Sequence, residues 1–83
     1  MSKPETFTMD VEYTDTFAGE ANYCWVKRES LELPVGISDR AIMRRAKAAM
    51  GLSGVRGRLD SYGDGFRFVP YRSCTVMFVQ TRY

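Results

Sequence analysis

One stretch of this chain, Ser38 to Gly51, carries both the start and the stop signals of a helix. Ser38 is a good N-cap, and Asp39 places a negative charge in the first turn, where the helix dipole favours it. Ile37 and Ile42 have the spacing of a hydrophobic staple. Gly51 suits the left-handed position that ends a helix, and Leu52 can fold back on the last turn. Between the caps, Ile42, Ala46, Ala49 and Met50 share one face, and the small Ala41 lies nearby, so a sheet can approach closely. Arg40, Arg44 and Lys47 line another face, with Arg45 at its side. A lone helix cannot bury its own apolar stripe, so the rest of the chain has to supply a sheet.

Strand patterns stand on both sides of it. Phe7, Met9, Val11 and Tyr13 alternate with Thr8, Asp10, Glu12 and Thr14, the period of two of a half-buried strand. Asp15 to Glu20 contains Gly19 and reads as a turn. A second strand follows, with Tyr23, Trp25, Leu31 and Leu33 on one face and Cys24, Val26 and Arg28 on the other; Pro34 and Gly36 close it. After the helix, Val55, Gly57 and Leu59 alternate with Arg56, Arg58 and Asp60. Tyr62-Gly63-Asp64-Gly65 has the composition of a hairpin turn. Phe66 to Val69 is the return strand, which Pro70 shortens or sends to an edge. In the last strand, Cys74 to Thr81, the run Val76-Met77-Phe78-Val79 is apolar on both faces, which predicts a central position. The order β-β-α-β-β-β predicts an α+β fold in two layers, one helix packed on a mostly antiparallel sheet of about five strands. The 83 residues make a single small domain over 1–83, with 1–6 as a loose polar start.

Composition narrows the chemistry. With no histidine, the chain lacks the commonest general base and the commonest metal ligand. Cys24 and Cys74 have neither an activating base nor metal-ligand spacing, and the glycines match no phosphate-binding loop. We therefore expect no enzyme, no catalytic residues, no cofactor, no metal and no small-molecule substrate. Residues 1–9 lack the apolar core of a signal peptide, and no run is long enough to span a bilayer. These features lead us to expect a cytoplasmic protein without a membrane partner, with both thiols reduced and packed as small hydrophobes. Trp25, the one tryptophan, is expected in the core, because so short a chain needs its bulk inside.

The net charge of +2 conceals a split. Residues 1–39 carry eight acids and three bases, residues 40–83 nine bases and two acids. Two candidate binding faces emerge. One is acidic, with Asp10, Glu12, Asp15 and Glu20; the other is basic, with Arg40, Arg44, Arg45, Lys47, Arg56 and Arg58. Arg67, Arg72, Tyr62 and Tyr71 add to the second, and arginine with tyrosine on a sheet can bind phosphates and stack bases. The competing reading sets Arg56 and Arg58 across from Asp10 and Glu12, so that the two halves neutralise each other within the sheet.

The block Tyr13-Thr14-Asp15-Thr16-Phe17-Ala18-Gly19-Glu20-Ala21-Asn22-Tyr23-Cys24-Trp25, with Ser38-Asp39-Arg40-Ala41 and Gly51-Leu52-Ser53-Gly54-Val55-Arg56, resembles small proteins encoded by bacteriophages and prophages. By class, such small cofactor-free α+β proteins are similar to anti-CRISPR inhibitors. The resemblance implies a stoichiometric inhibitor in the cytoplasm of a bacterial host. It would bind a host protein complex, a CRISPR surveillance complex foremost, and occlude its DNA-binding surface. The alternative is a phage protein that binds nucleic acid through the arginine-rich helix and strand face. A phage structural or assembly protein is a third class.

Overall fold

The computed structural model describes residues 5–63 and 65–82. Its elements are β1 (Thr6–Phe17), β2 (Glu20–Pro34), α1 (Asp39–Ala49), β3 (Gly57–Tyr62), β4 (Gly65–Pro70) and β5 (Thr75–Thr81), the expected β-β-α-β-β-β succession. All five strands form one sheet in the order β2-β1-β5-β4-β3, and every neighbouring pair is antiparallel. The apolar β5 is central, as its sequence predicts. Of the expected loose start, residues 1–4 lie outside the described residues. Glu5 and Thr6 are engaged: the Glu5 carbonyl accepts the Val35 N–H at 3.0 Å, and Thr6 opens β1.

The helix keeps its predicted ends. The Ser38 hydroxyl accepts the Ala41 N–H at 3.2 Å. Gly51 takes φ +73°, its N–H reaches the Ala48 carbonyl at 3.2 Å, and the Leu52 N–H reaches that of Lys47 at 2.7 Å. Those two bonds make a Schellman ending. Ile42, Met43, Ala46 and Met50 of α1, with Leu52, share one buried cluster with the sheet side chains Met9, Val11, Leu33, Phe66, Phe68, Met77 and Val79. Ala49, expected on that face, is exposed, and Met43 is buried instead. The Lys47 ammonium lies 4.8 Å from the Phe68 ring centre and donates to the Val55 carbonyl at 2.6 Å, tying helix, loop and β4 together.

Four further expectations need correcting. β4 is an inner strand, and Pro70 is buried at its end opposite Gly57. The β4–β5 ladder has already stopped at Phe68–Met77, so the missing N–H forfeits no bond. Both cysteines are exposed, and Cys74 precedes β5. Trp25 is 41% exposed and meets Tyr13 edge-on, with ring centres 5.3 Å apart, at the rim of the core. Finally, β1 runs on to Phe17, so the turn consists only of Ala18 and Gly19, both at positive φ.

The reason for that longer hairpin is a large bulge. Thr14 pairs with Val26, but Thr16 pairs with Ala21, so Asn22 to Trp25 stand opposite Asp15 alone. Tyr23 takes φ +55° there, which separates it from the face of Trp25. The fully buried Thr14 hydroxyl donates to the Trp25 carbonyl at 2.8 Å and accepts the Tyr23 N–H at 3.1 Å. Asp15 accepts the Cys24 N–H at 2.8 Å and the Asn22 side-chain amide at 2.9 Å. Two polar side chains of β1 thus replace the backbone bonds that the bulge removes.

Candidate binding faces

Because side chains alternate along a strand, the sheet presents a second face away from the buried cluster. There Asp10 and Glu12 of β1 stand beside Ser30 and Arg28 of β2 and Gln80 and Phe78 of β5. Arg67 of β4 stands beside Phe78 on one side and Asp60 of β3 on the other. β1 and β3 are separated by β5 and β4, so Arg56 and Arg58 do not lie across from Asp10 and Glu12. Other arginines neutralise those acids. Arg82 forms an ion pair with Asp10, and Arg28 Nε lies 3.1 Å from Glu12. Asp60 takes Arg67 at 3.1 Å and Arg58 at 3.4 Å.

The electrostatics follow these partners. The Arg82 hydrogen bond holds the Asp10 carboxyl below its usual range, and Asp10 in turn raises Arg82. Arg67 does the same to Asp60. At the bulge, the Asn22 amide and then the Cys24 N–H lower Asp15. The Glu12 carboxylate beside the Tyr23 hydroxyl pushes that phenol up. Of the acidic candidates, then, Asp10 and Glu12 are ion-paired and Asp15 organises the bulge. Glu20, with Arg58, lines a groove of about 460 Å³ between the hairpin tip and the strands beneath, floored by Val76 and Phe78.

The basic candidates divide differently. Arg40, Arg44 and Lys47 line a groove of about 490 Å³ between α1, the loop at Ser53 and Gly54, and β3. Asp39, Met43 and Leu59 complete its wall, and Leu59 is 50% exposed. Among the described residues, Arg40 and Arg44 have no carboxylate within ion-pair distance. Arg45 is exposed on α1 outside this groove. Arg56 is exposed before β3, where its carbonyl accepts the Tyr71 N–H at 3.0 Å. Sequence reasoning brought the three groove cations together correctly, since positions i, i+4 and i+7 share a helix face. It missed Leu59, whose alternation puts it toward α1 but whose edge strand leaves it half covered. It also missed Arg82, and it set Arg67 among the basic candidates without the Asp60 partner that neutralises it. That pairing was within reach, because the register that joins Tyr62 to Gly65 sets Asp60 opposite Arg67.

Among the described residues, no three Cys, Asp or Glu side chains converge as a metal site requires. No helix among the described residues is long and apolar enough to cross a membrane. Comparison of the chain with family models, curated proteins and solved structures finds no match.

Proposed function

We propose that this chain is a stoichiometric inhibitor, encoded by a bacteriophage, that binds a defence complex in the cytoplasm of its bacterial host. A CRISPR surveillance complex is the expected target, and inhibition is by steric block of DNA binding from an acidic subunit face beside the cationic path of the DNA, with no catalytic step. We assign the contact to the α1 groove. In this reading α1 is the upper layer of a two-layer domain, consistent with its share in the common buried cluster and with Lys47 over Phe68.

One observation carries the choice of face. Arg40 and Arg44 flank the half-exposed Leu59 and have no carboxylate partner among the described residues, whereas Asp10 and Glu12 are already neutralised. Arginine is enriched at protein-binding hot spots, and these two stand unpaired beside exposed apolar surface. A phosphate backbone would use the cations and leave the apolar surface unused. The partner surface is therefore acidic, with an apolar side chain to seat against Met43 and Leu59.

Affinity capture from host lysate, with and without nuclease, tests this reading alongside a CRISPR interference assay. We expect a nuclease-resistant protein partner that is lost with Arg40→Glu/Arg44→Glu, and restored phage infectivity with the unaltered protein. Capture that disappears on nuclease treatment supports the nucleic-acid reading instead. Unchanged interference across type I and type II systems sinks the inhibitor.

A further inference from the structure

The outer edge of β2 is the longest unpaired edge in the domain, and its hydrogen-bonding parity is fixed by three backbone contacts. The Val35 N–H reaches the Glu5 carbonyl, the Arg82 N–H that of Thr8, and the Thr16 N–H that of Cys74. Even-numbered residues of β1 therefore bond to β5 and odd-numbered ones to β2. It follows that Lys27, Glu29, Leu31 and Leu33 of β2 spend their peptide groups on β1. Val26, Arg28, Ser30 and Glu32 direct theirs outward, where the described residues offer no partner. Pro34 has no N–H to direct and ends the series. Exposed edges of this kind are templates for another strand.

We propose that this edge pairs with a second copy of the chain, antiparallel, about a two-fold axis through Ser30. The inference is independent of the function assigned to the α1 groove. Two outward-directed residues must face each other across such a seam, which leaves a few registers, and charge selects among them. With the axis at Ser30, Arg28 faces Glu32 of the second copy, and Glu32 faces its Arg28. Moving the axis one residue toward the N-terminus sets Glu29 against itself. Moving it two residues sets Arg28 against itself, and like charges directly opposed are destabilising. Moving it one residue the other way spends Arg28 on Pro34, which cannot donate. Only the Ser30 register pairs opposite charges, and its losses fall at the two ends of the ladder, where Val26 meets Pro34. The two sheets would continue as one of ten strands with both helices on the same face. The opposite edge makes a poor alternative: β3 has six residues and directs only Gly57, Leu59 and Ser61 outward.

Sedimentation velocity and a charge-swap cycle test the seam. The unaltered chain should dimerise with micromolar affinity, as befits a small interface. Arg28→Glu and Glu32→Arg should each weaken association about tenfold or more, and the double exchange should restore it. In a Cys24→Ser/Cys74→Ser background, Ser30→Cys should cross-link under mild oxidation. Hydrogen-bonded cross-strand pairs have α-carbons about 5.5 Å apart, within disulfide reach. A chain that stays monomeric to several hundred micromolar overturns the proposal. So does a dimer whose double exchange is no tighter than the singles and whose Ser30→Cys variant does not cross-link.

Discussion

The hairpin of β1 and β2 turns through Ala18 and Gly19 and carries four residues of one strand opposite a single residue of the other, whereas β3 and β4 meet in strict register up to Tyr62 and Gly65. The first is held near its tip by side chains, with Thr14 and Asp15 accepting N–H groups that no neighbouring strand can reach. The second has an unbroken backbone ladder, bridged by the Arg67–Asp60 ion pair, and its glycines sit where no side chain fits: a Cβ at Gly65 would run into the Val79 carbonyl, and one at Gly57 into that of Val69. One hairpin tolerates irregular sequence because polar groups absorb it. The other demands glycine because the next strand leaves no room. Both dock on β5, so differences between them are local while β5 is common to both.

Removing that common support gives the largest effect. Met77 is fully buried between the partners Tyr13 and Phe68, and Met77→Ala should cost about 2–5 kcal/mol in urea denaturation, unlocking both hairpins together. Gly65→Ala should cost about 1–3 kcal/mol, since a backbone carbonyl must move to admit the methyl group. Amide exchange should speed up most in β4, with the β1–β2 tip unchanged. Thr14→Val is the mirror experiment. It keeps the shape but leaves the Tyr23 N–H and Trp25 carbonyl unpaired, for a loss of roughly 1–2 kcal/mol. Exchange should then speed up at residues 22–25 and not in β4.

The smallest effect is a pH dependence: Asp60 gives β3 and β4 a share of it through Arg67, while at the tip of the long hairpin Asp15 holds a backbone N–H as well. Asp15 is held below its ordinary value of 3.8, so its contribution is complete above that pH and falls away as the folded carboxyl becomes protonated. Trp25 fluorescence should therefore report opening of the tip in acid before global unfolding. Asp15→Asn should remove this transition. If Asp15→Asn leaves the acid transition of the tip unchanged, the contrast between the hairpins fails.

Much of this fold is legible in the residues. The helix and its caps, the alternating first strand, the turn after Tyr62 and the central place of the last strand all follow from local spacing. Local spacing also grouped Arg40, Arg44 and Lys47 on one face. The bulge was not legible, because Asp15 and Thr14 act on residues 22–25 through a register that no periodicity announces. Nor was the fate of the acids. Arg82 meets Asp10 across 72 residues of sequence, which only the strand order brings about. Trp25 defeated a volume argument, since methionines and phenylalanines fill the core instead.

The seam between β1 and β5 bears on how the chain acquires this structure. Each hairpin can form from neighbouring segments, but Tyr13 meets Thr75 across 62 residues, and the buried cluster draws on both sides of that seam. Such distant pairing must overcome a large loop-closure entropy before it is rewarded, which slows folding. During synthesis the helix and the first hairpin would wait, with Met9 and Val11 incompletely covered, until β5 has left the ribosome. The domain's closing step thus depends on β5 being available to join the two hairpins.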